Sequence, residues 1–468
     1  MKSKDVVDLV KVWMPQWKLE RERLDVIDLW NNGKNTDIKA PTGATVELKR
    51  LIELSKTPWL GLVVTTVAQT MFVDGIHTSR LGASEPYGPV TGPWRTWLAN
   101  QMPSRQIAIH RANLAYGYAF ATALPGVDAF GQKMAVLRGV SPRKMFAVYA
   151  NPAEDEWPLF TLTFEANGKD SYLVKVMDEQ GVYYLASNAD GTKVDFIEER
   201  IHGLGVTPVV RYTNMLDLDG RTPGEVEPFI PIAARIDKTD FDRLVTQHYA
   251  SWKKLWIAGM EKPSEEQSAN GIKLKMAQDD IIVSDSAETR FGAFEASELG
   301  GFIAAKENDV ETLAAVSQTP SHSLTGKMIN IGAEALAAAR AQLEQKSGER
   351  KVSAGVSHDQ LLRLAARIEG DMEAANDVTA HVTWQDTSIR SLASAADALG
   401  KMATMLQIPV EGLWQRVPGV TKTDVDEWKQ MAKSARVSTL LGSVSSAASA
   451  AKTDPQVAGL AGQRGVGE

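Results

Sequence analysis

The stretch that fixes the order of elements runs from residue 225 to residue 336. It opens with Glu225-Val-Glu-Pro-Phe-Ile-Pro-Ile-Ala-Ala-Arg-Ile-Asp-Lys-Thr-Asp-Phe-Asp-Arg-Leu-Val245. It carries Gln318-Thr-Pro-Ser-His-Ser-Leu-Thr-Gly-Lys-Met-Ile-Asn330 late in its course and closes with Ile331-Gly-Ala-Glu-Ala-Leu336. Ile230, Ile232, Ile236, Phe241, Leu244, Val245 and Tyr249 recur at helical spacing and predict a helix through about Trp252. Pro231 falls in its first turn, where the missing N–H is not needed. Leu255 to Met260 and Ile281 to Val283 read as strands, with a polar loop from Pro263 to Gly271 between them. Glu298 to Val316 predicts a second helix, ended by Thr319-Pro320. Ser321, Ser323, Thr325 and Gly326 then favour a turning loop whose only formal charge is Lys327. From Ile331 to Glu369 an Ala- and Leu-rich helix of roughly 55–60 Å is expected, with Gly348 and Gly355 as places for a kink.

Toward the amino terminus, Val6, Leu9, Val10, Trp13, Trp17, Leu24, Ile27 and Trp30 predict amphipathic helix, interrupted near Pro15 and ended by Asn31-Asn-Gly33. The Trp side chains are expected to pack against the rest of the domain. Thr57-Pro58 reads as a helix start, a capping hydroxyl followed by proline. Leu60, Val63, Val64, Val67 and Met71 form its buried stripe. Val73-Asp-Gly75 predicts a short strand and turn, and Trp94, Trp97 and Leu98 a short helix. Ser104 reads as the cap of a further helix running through Ile107, Arg111 and Leu114 toward Ala123, with Pro125-Gly126 stopping it. From Ala135 to Tyr212 the period falls to two. Phe146–Tyr149, Leu159–Phe164, Tyr172–Val176, Val182–Leu185, Val194–Ile197 and Pro208–Tyr212 read as strands. Asn167-Gly, Gln180-Gly and Asp190-Gly supply the turns of a small antiparallel meander. Pro223-Gly224 closes this lobe. Beyond the long helix, Val382 to Asp386 reads as a strand, Ser388 as the cap of a helix through Leu406, and Thr423 to Ala435 as a last helix. After Thr439 the chain is Ser, Ala and Gly and is expected to be disordered.

Composition excludes several classes. There is no cysteine in the 468 residues, so disulfides and thiolate metal sites are out. The amino terminus has no apolar signal region, and Pro58 to Val73, the most apolar window, is too short and too polar to span a bilayer. The formal net charge is -7. Proteins that grip DNA by neutralising phosphates are usually basic, so tight static DNA binding is not expected, whereas a surface that DNA slides past is compatible. No Gly-x-x-x-x-Gly-Lys-Ser/Thr, Gly-x-Gly-x-x-Gly or His-Glu-x-x-His occurs. The histidines lack ligand spacing, and His110 and Arg111 read as ordinary helix residues. Asp217-Leu-Asp-Gly220 mimics part of a calcium loop, but Met215 and Val226 stand where ligands are needed. Glu154-Asp-Glu156 reads as a solvated loop. No cofactor, metal or catalytic residue is assigned.

The helix–mixed segment–helix–loop–helix order of residues 225–336 resembles the portal proteins of tailed bacteriophages, in the Gp6-like branch of SPP1 type. The run Trp97-Leu-Ala-Asn-Gln-Met-Pro-Ser-Arg-Gln-Ile-Ala-Ile-His-Arg-Ala-Asn-Leu-Ala-Tyr-Gly-Tyr118 is similar to a recurring stretch of the same branch. The resemblance covers roughly residues 1–435. It implies an α+β, mainly helical, ring-forming portal fold of wing, stem, clip and crown, with the β-rich lobe in the wing. Residues 1–224 would be wing, 225–252 the first stem helix, 253–297 the clip and 298–316 the second stem helix. Residues 317–331 would be the tunnel loop, 332–385 the long wing helix and strand, 386–436 the crown and 437–468 the tail.

The function implied is a ring of twelve subunits at one capsid vertex, through which double-stranded DNA is packaged and ejected. Its implied partners are other copies of the chain, the terminase large subunit, a head–tail adaptor, and the major capsid and scaffolding proteins. It would not be an enzyme or bind a membrane, and it would reside in the virion after synthesis in the bacterial cytoplasm. Lys327, Met328, Ile329 and Asn330 are the expected channel-facing residues of the tunnel loop. Lys253 and Lys254 at the stem-to-clip junction are further candidate contacts, as are Arg235 and Lys238. Asp237, Asp240 and Asp242 intervene at the last two, which favours ion pairing there over a DNA track. The competing classes are an α+β enzyme with a non-local active site and a minor head or scaffold protein.

Overall fold

The structure is a computed structural model that describes residues 1–78, 92–128, 130–250, 255–258, 290–293, 298–327, 333–385, 392–417, 419–420, 424–425 and 427–439. Helix α1 (Ser3–Asn31) runs unbroken through Pro15, where the sequence predicts an interruption. Lys11 and Pro15 are both exposed, so water can serve the carbonyl that the missing N–H leaves free. The opposite face is held hard. Val6, Val10, Met14 and Trp17 are buried, and Trp17 stacks on Phe164 with ring centroids 3.9 Å apart. The second half of α1 buries Leu24, Ile27 and Trp30 in a different cluster, so this one helix joins two cores.

Helix α2 (Val46–Ser55) has no counterpart in the sequence reading; Thr45 caps it by accepting from the Leu48 amide at 3.2 Å. Helix α3 (Trp59–Ala68) buries the expected stripe of Leu60, Val63, Val64 and Val67. Thr57 is not its cap: Pro58 takes that place, and the Thr57 amide instead donates to Asp237. Strand β1 (Val73–His77) and helix α4 (Gly92–Ala99) follow.

Helix α5 (Met102–Tyr116) begins before Ser104 and stops at Gly117, so the predicted continuation to Ala123 is wrong. Gly117 has φ +91°, and a Cβ there would lie 1.9 Å from the Thr222 carbonyl oxygen. That approach ends the helix and releases β2 (Tyr118–Val127), with Pro125-Gly126 inside the strand. Strand β2 lies between β3 (Lys133–Val140) and β9 (Val209–Thr213) in a three-stranded antiparallel sheet. Five of the six strands expected in the meander form a second sheet in sequence order: β4 (Met145–Val148), β5 (Phe160–Ala166), β6 (Ser171–Met177), β7 (Gly181–Asn188) and β8 (Val194–Ile201); the sixth, Pro208–Tyr212, is instead β9, paired with β2. Alternation along β2 does the joining. Ala119, Ala121 and Ala123 face the helical core, whereas Phe120 meets Met145, Met177 and Val182 of the second sheet.

Helix α6 (Ile230–Ala250) follows a single 3-10 turn at Glu227–Phe229. Strands β10 (Leu255–Ala258) and β11 (Arg290–Ala293) pair antiparallel; the strand expected at Ile281–Val283 lies outside the described residues. Helices α7 (Gly300–Val316), α8 (Ser321–Thr325), α9 (Ala333–Glu369) and α10 (Met372–Ala375) come next. The 37 residues of α9 stay helical through Gly348 and Gly355. Its inner face buries Ala354, Leu361, Leu362, Leu364 and Ala365 in the main core. Strand β12 (His381–Trp384) returns to pair with β1. Helices α11 (Leu392–Met405) and α12 (Val410–Leu413) follow. Residues 427–439 are helical, past position 437 where the tail is expected to start, and residues 440–468 lie outside the described residues.

Replacing Gly117 by Ala should destabilise the chain by about 2 kcal/mol or more, since left-handed strain and a backbone clash act together. Denaturant unfolding of the two proteins checks this. An unchanged midpoint would mean that the chain near Thr222 shifts freely to make room.

Candidate functional site

Gly224 packs against the end of α5, and the next amide, Glu225 N–H, donates to the Leu114 carbonyl at 2.7 Å. This tether drives the Glu225 side chain into the interior. Lys346 Nζ lies 2.6 Å from one carboxylate oxygen, and Arg350 Nη2 and Nε each lie 3.0 Å from the other. Asn214 donates to the same carboxylate at 3.1 Å and to the Pro223 carbonyl at 3.0 Å. All three ionic side chains are at most 7% exposed. Burial alone would raise the Glu225 pKa, but Lys346 and Arg350 outweigh it and hold the carboxyl below its usual range. The second positive charge is also met: Lys346 Nζ donates to the Ser317 carbonyl at 2.7 Å, at the C-terminal end of α7, where a helix dipole favours a cation. One cluster therefore joins the start of the α6 segment, the end of α7 and the middle of α9.

Above this hub, α6 and α7 pack as an antiparallel pair. Arg235 meets Asp309 at 2.6 Å and Asp240 meets Lys306 at 2.8 Å, so numbers rise on one helix as they fall on the other. Asp240 is buried and Arg243 also reaches it, at 3.4 Å. Lys238 pairs with Asp242 within α6. Asp237 turns the other way, accepting from Asn35 at 2.9 Å and from the Thr57 amide at 3.3 Å, and burial pushes its pKa up to about 6.

The chain beyond α7 is more ordered than an open loop. Gln318 takes a left-handed φ of 52°, Pro320 leads into α8, and Leu324 is buried. Residues expected to turn therefore form one short helix, because Leu324 has a core to enter. Gly326 ends it with φ 68°, and Lys327 then pairs with Glu307 of α7 at 2.6 Å, both side chains exposed. A groove of about 360 Å³ lies alongside, lined by Trp59, Arg243, Ile303, Lys306, Val310 and Leu324 among others. Of the residues singled out from sequence, Arg235, Lys238 and Lys327 are all ion-paired within the chain. Met328, Ile329, Asn330, Lys253 and Lys254 lie outside the described residues. The sequence reading missed Glu225, Lys346, Arg350 and Glu307. The i, i+4 pairing of Lys346 with Arg350 was the only local signal.

The histidines are not all scattered. His110 of α5 and His358 of α9 meet in the core with their Nε2 atoms 2.8 Å apart. His110 Nδ1 lies 3.1 Å from the Met71 carbonyl, and the Tyr212 hydroxyl 2.9 Å from His358 Nδ1. The Met71 oxygen can only accept, and with both rings neutral, as their burial favours, every direction follows: Tyr212 donates to His358, His358 to His110, and His110 to Met71. Both rings are neutral in this assignment, and no ring nitrogen keeps a free lone pair for a metal. Burial lowers the His110 pKa to about 4 and drives that of His358 well below its ordinary value. Among the described residues no group of three or more His, Asp or Glu is arranged to hold a metal.

The charges described above hold elements together, which defines a scaffold built on buried ionic and polar links. The model of the family described as phage portal protein, SPP1 Gp6-like, matches residues 11–437. The chain belongs to that family, a structural one whose members are components of the phage virion. No curated protein matches it. Among solved structures, a chain from the neck of a native GTA particle, computed with C12 symmetry, is similar with a TM-score of 0.39. The two are 11% identical, over 80% of this chain and 92% of that one. No helix among the described residues is long and apolar enough to cross a membrane.

Glu225→Ala leaves Lys346 only the Ser317 carbonyl and Arg350 only the more distant, exposed Glu349, and should cost about 3 kcal/mol, whereas breaking an exposed pair with Arg235→Ala should cost under about 1 kcal/mol. Chemical denaturation of both variants tests the ranking, and equal losses would mean the hub is no stronger than the surface. The buried histidines set a pH dependence. A folded pKa below the ordinary 6.5 gives stability that is present above that pH and lost as pH falls toward about 4. Asp237 and Asp359, both raised to about 6 by burial, act with the opposite sign. Compared with a His110→Gln/His358→Gln double variant, the parent should therefore lose more thermal stability between neutral pH and pH 5. Parallel melting curves would rule out the neutral assignment.

Proposed function

We propose that this chain is the portal subunit itself: copies close into a twelve-membered ring at one capsid vertex. Double-stranded DNA enters through the ring on packaging and leaves through it on ejection. Membership of the portal family over residues 11–437 carries this reading. The antiparallel α6–α7 pair fits the role of a wall element, since two helices clamped at one end by a buried ion cluster make a stiff rod. In this reading residues 225–252 and 298–316 are the stem, 253–297 the clip, 317–331 the tunnel loop and 386–436 the crown. Residues 1–224 with 332–385 make the wing.

The division of labour follows from chemistry. The chain has no phosphate-cradling loop, so the work of translocation falls to a terminase docked at the clip, and a head–tail adaptor takes its place afterwards. Capsid and scaffolding proteins surround the wing. The net charge of -7 keeps the duplex from sticking, and Lys327 supplies one sparse, salt-sensitive contact per subunit.

Mass measurement and negative-stain imaging of the purified full chain test the assembly. A closed ring with an axial hole is expected, and a monomer at every concentration would overturn the reading. Lys327→Ala should leave rings intact and alter packaging or retention of DNA; loss of rings would make the α7–α9 connection an assembly element instead.

A further inference from the structure

We propose that Glu307 is a latch for Lys327: it holds the ammonium against α7 when no phosphate is near and yields it when one passes. The inference rests on the reading that Lys327 faces DNA, and it adds the residue that sets how strongly. The pair is short, 2.6 Å, yet both partners are largely exposed, at 61% and 52%. An exposed ion pair of this kind contributes little and exchanges readily, because water solvates either ion nearly as well. A phosphate diester oxygen offers the same kind of partner, one anionic acceptor, so the exchange replaces like with like.

The surroundings favour a two-position side chain. Glu307 and Glu311 sit one turn apart on α7, and both carboxylates bear on the Lys327 ammonium. Lys327 follows Gly326, whose φ of 68° marks the end of α8, and that helix is pinned by buried Leu324. The backbone is thus anchored up to the residue that carries the charge, and the flexible part is the lysine side chain. The adjoining groove gives it room to swing. The other cations at the groove are engaged elsewhere: Lys306 and Arg243 share the buried carboxylate of Asp240. Among the described residues the ion-pair partner of Lys327 is exposed, so it is the cation of this set that a passing anion can take.

A latch makes a specific double-variant prediction. Binding of a linear DNA duplex to the full-length chain is measured at low ionic strength for the parent, Glu307→Gln, Lys327→Ala and the double variant. Glu307→Gln should tighten binding about two- to fivefold, the equilibrium factor of an exposed pair. That gain should vanish at high salt and be absent when Lys327 is already Ala. Tightening that persists in the Lys327→Ala background would show that Glu307 acts only by general repulsion, and the latch falls. Unchanged binding in Glu307→Gln, with weaker binding in Lys327→Ala, would sink the latch while leaving Lys327 as the contact. Unchanged binding in Lys327→Ala overturns the assignment of Lys327 itself.

Discussion

The Glu225 carboxylate, just ahead of α6, holds Lys346 and Arg350 of α9, and Lys346 in turn reaches the end of α7; the relative placement of these helices depends on the ion pairing there. Burying one acid with a lysine and an arginine leaves an excess cation unless another acceptor is supplied. Glu349 supplies a second carboxylate, 3.5 Å from Arg350 Nη1, and the Ser317 carbonyl at the end of α7 takes a further hydrogen bond from Lys346 at 2.7 Å. The helix that follows Glu225, the end of α7 and the middle of α9 therefore have to arrive together. If any one were displaced, an ion or a carbonyl would be left buried without a partner. Such a cluster specifies geometry more than it adds net stability.

The second internal constraint is apolar on its outside and polar along its axis. Tyr212, His358, His110 and the Met71 carbonyl form a one-way chain of hydrogen bonds from β9 through α9 and α5 to the turn before β1. Trp97 and Trp384 pack edge-on or tilted against these rings and keep water away. In this direction the chain requires both imidazoles to be neutral, the state that their burial favours. It thus fixes the register of α9 on the sheet as well as its distance, since a slip along the helix would remove His358 from both partners.

Stiff and yielding links alternate along the α6–α7 pair. The base is held by buried charges, Arg235 of the next pair is exposed, and beyond it the buried Asp240 takes Lys306 and Arg243. The segment after α7 runs from buried to exposed, from the buried Ser317 carbonyl through the anchored Leu324 to the exposed Lys327. In the DNA conduit proposed above, a firm root and a weak contact at the tip would both be required. A firmly held cation would retain the duplex, and a loosely held root would let the wall give way.

Local periodicity was enough for the elements whose partners lie on one face: the stripe of α3, helices α6, α7 and α9, five of the six strands expected in the meander, and the likeness to the portal family. Patterns of this kind are written in three- and four-residue or two-residue spacing, so a linear reading finds them. What the tertiary structure alone decided were outcomes set by distant neighbours. Tyr118–Val127 is a strand because Gly117 abuts the Thr222 carbonyl and β9 offers hydrogen bonds, although its alanines suit a helix equally well. Pro15 sits inside α1 because Trp17 and its neighbours are clamped on a sheet more than a hundred residues away along the chain. Nothing local separates Glu225, buried and shared by two cations, from the exposed Glu349, or joins His110 to His358. Charge burial depends on which surfaces close over a side chain, and that is a property of the folded whole.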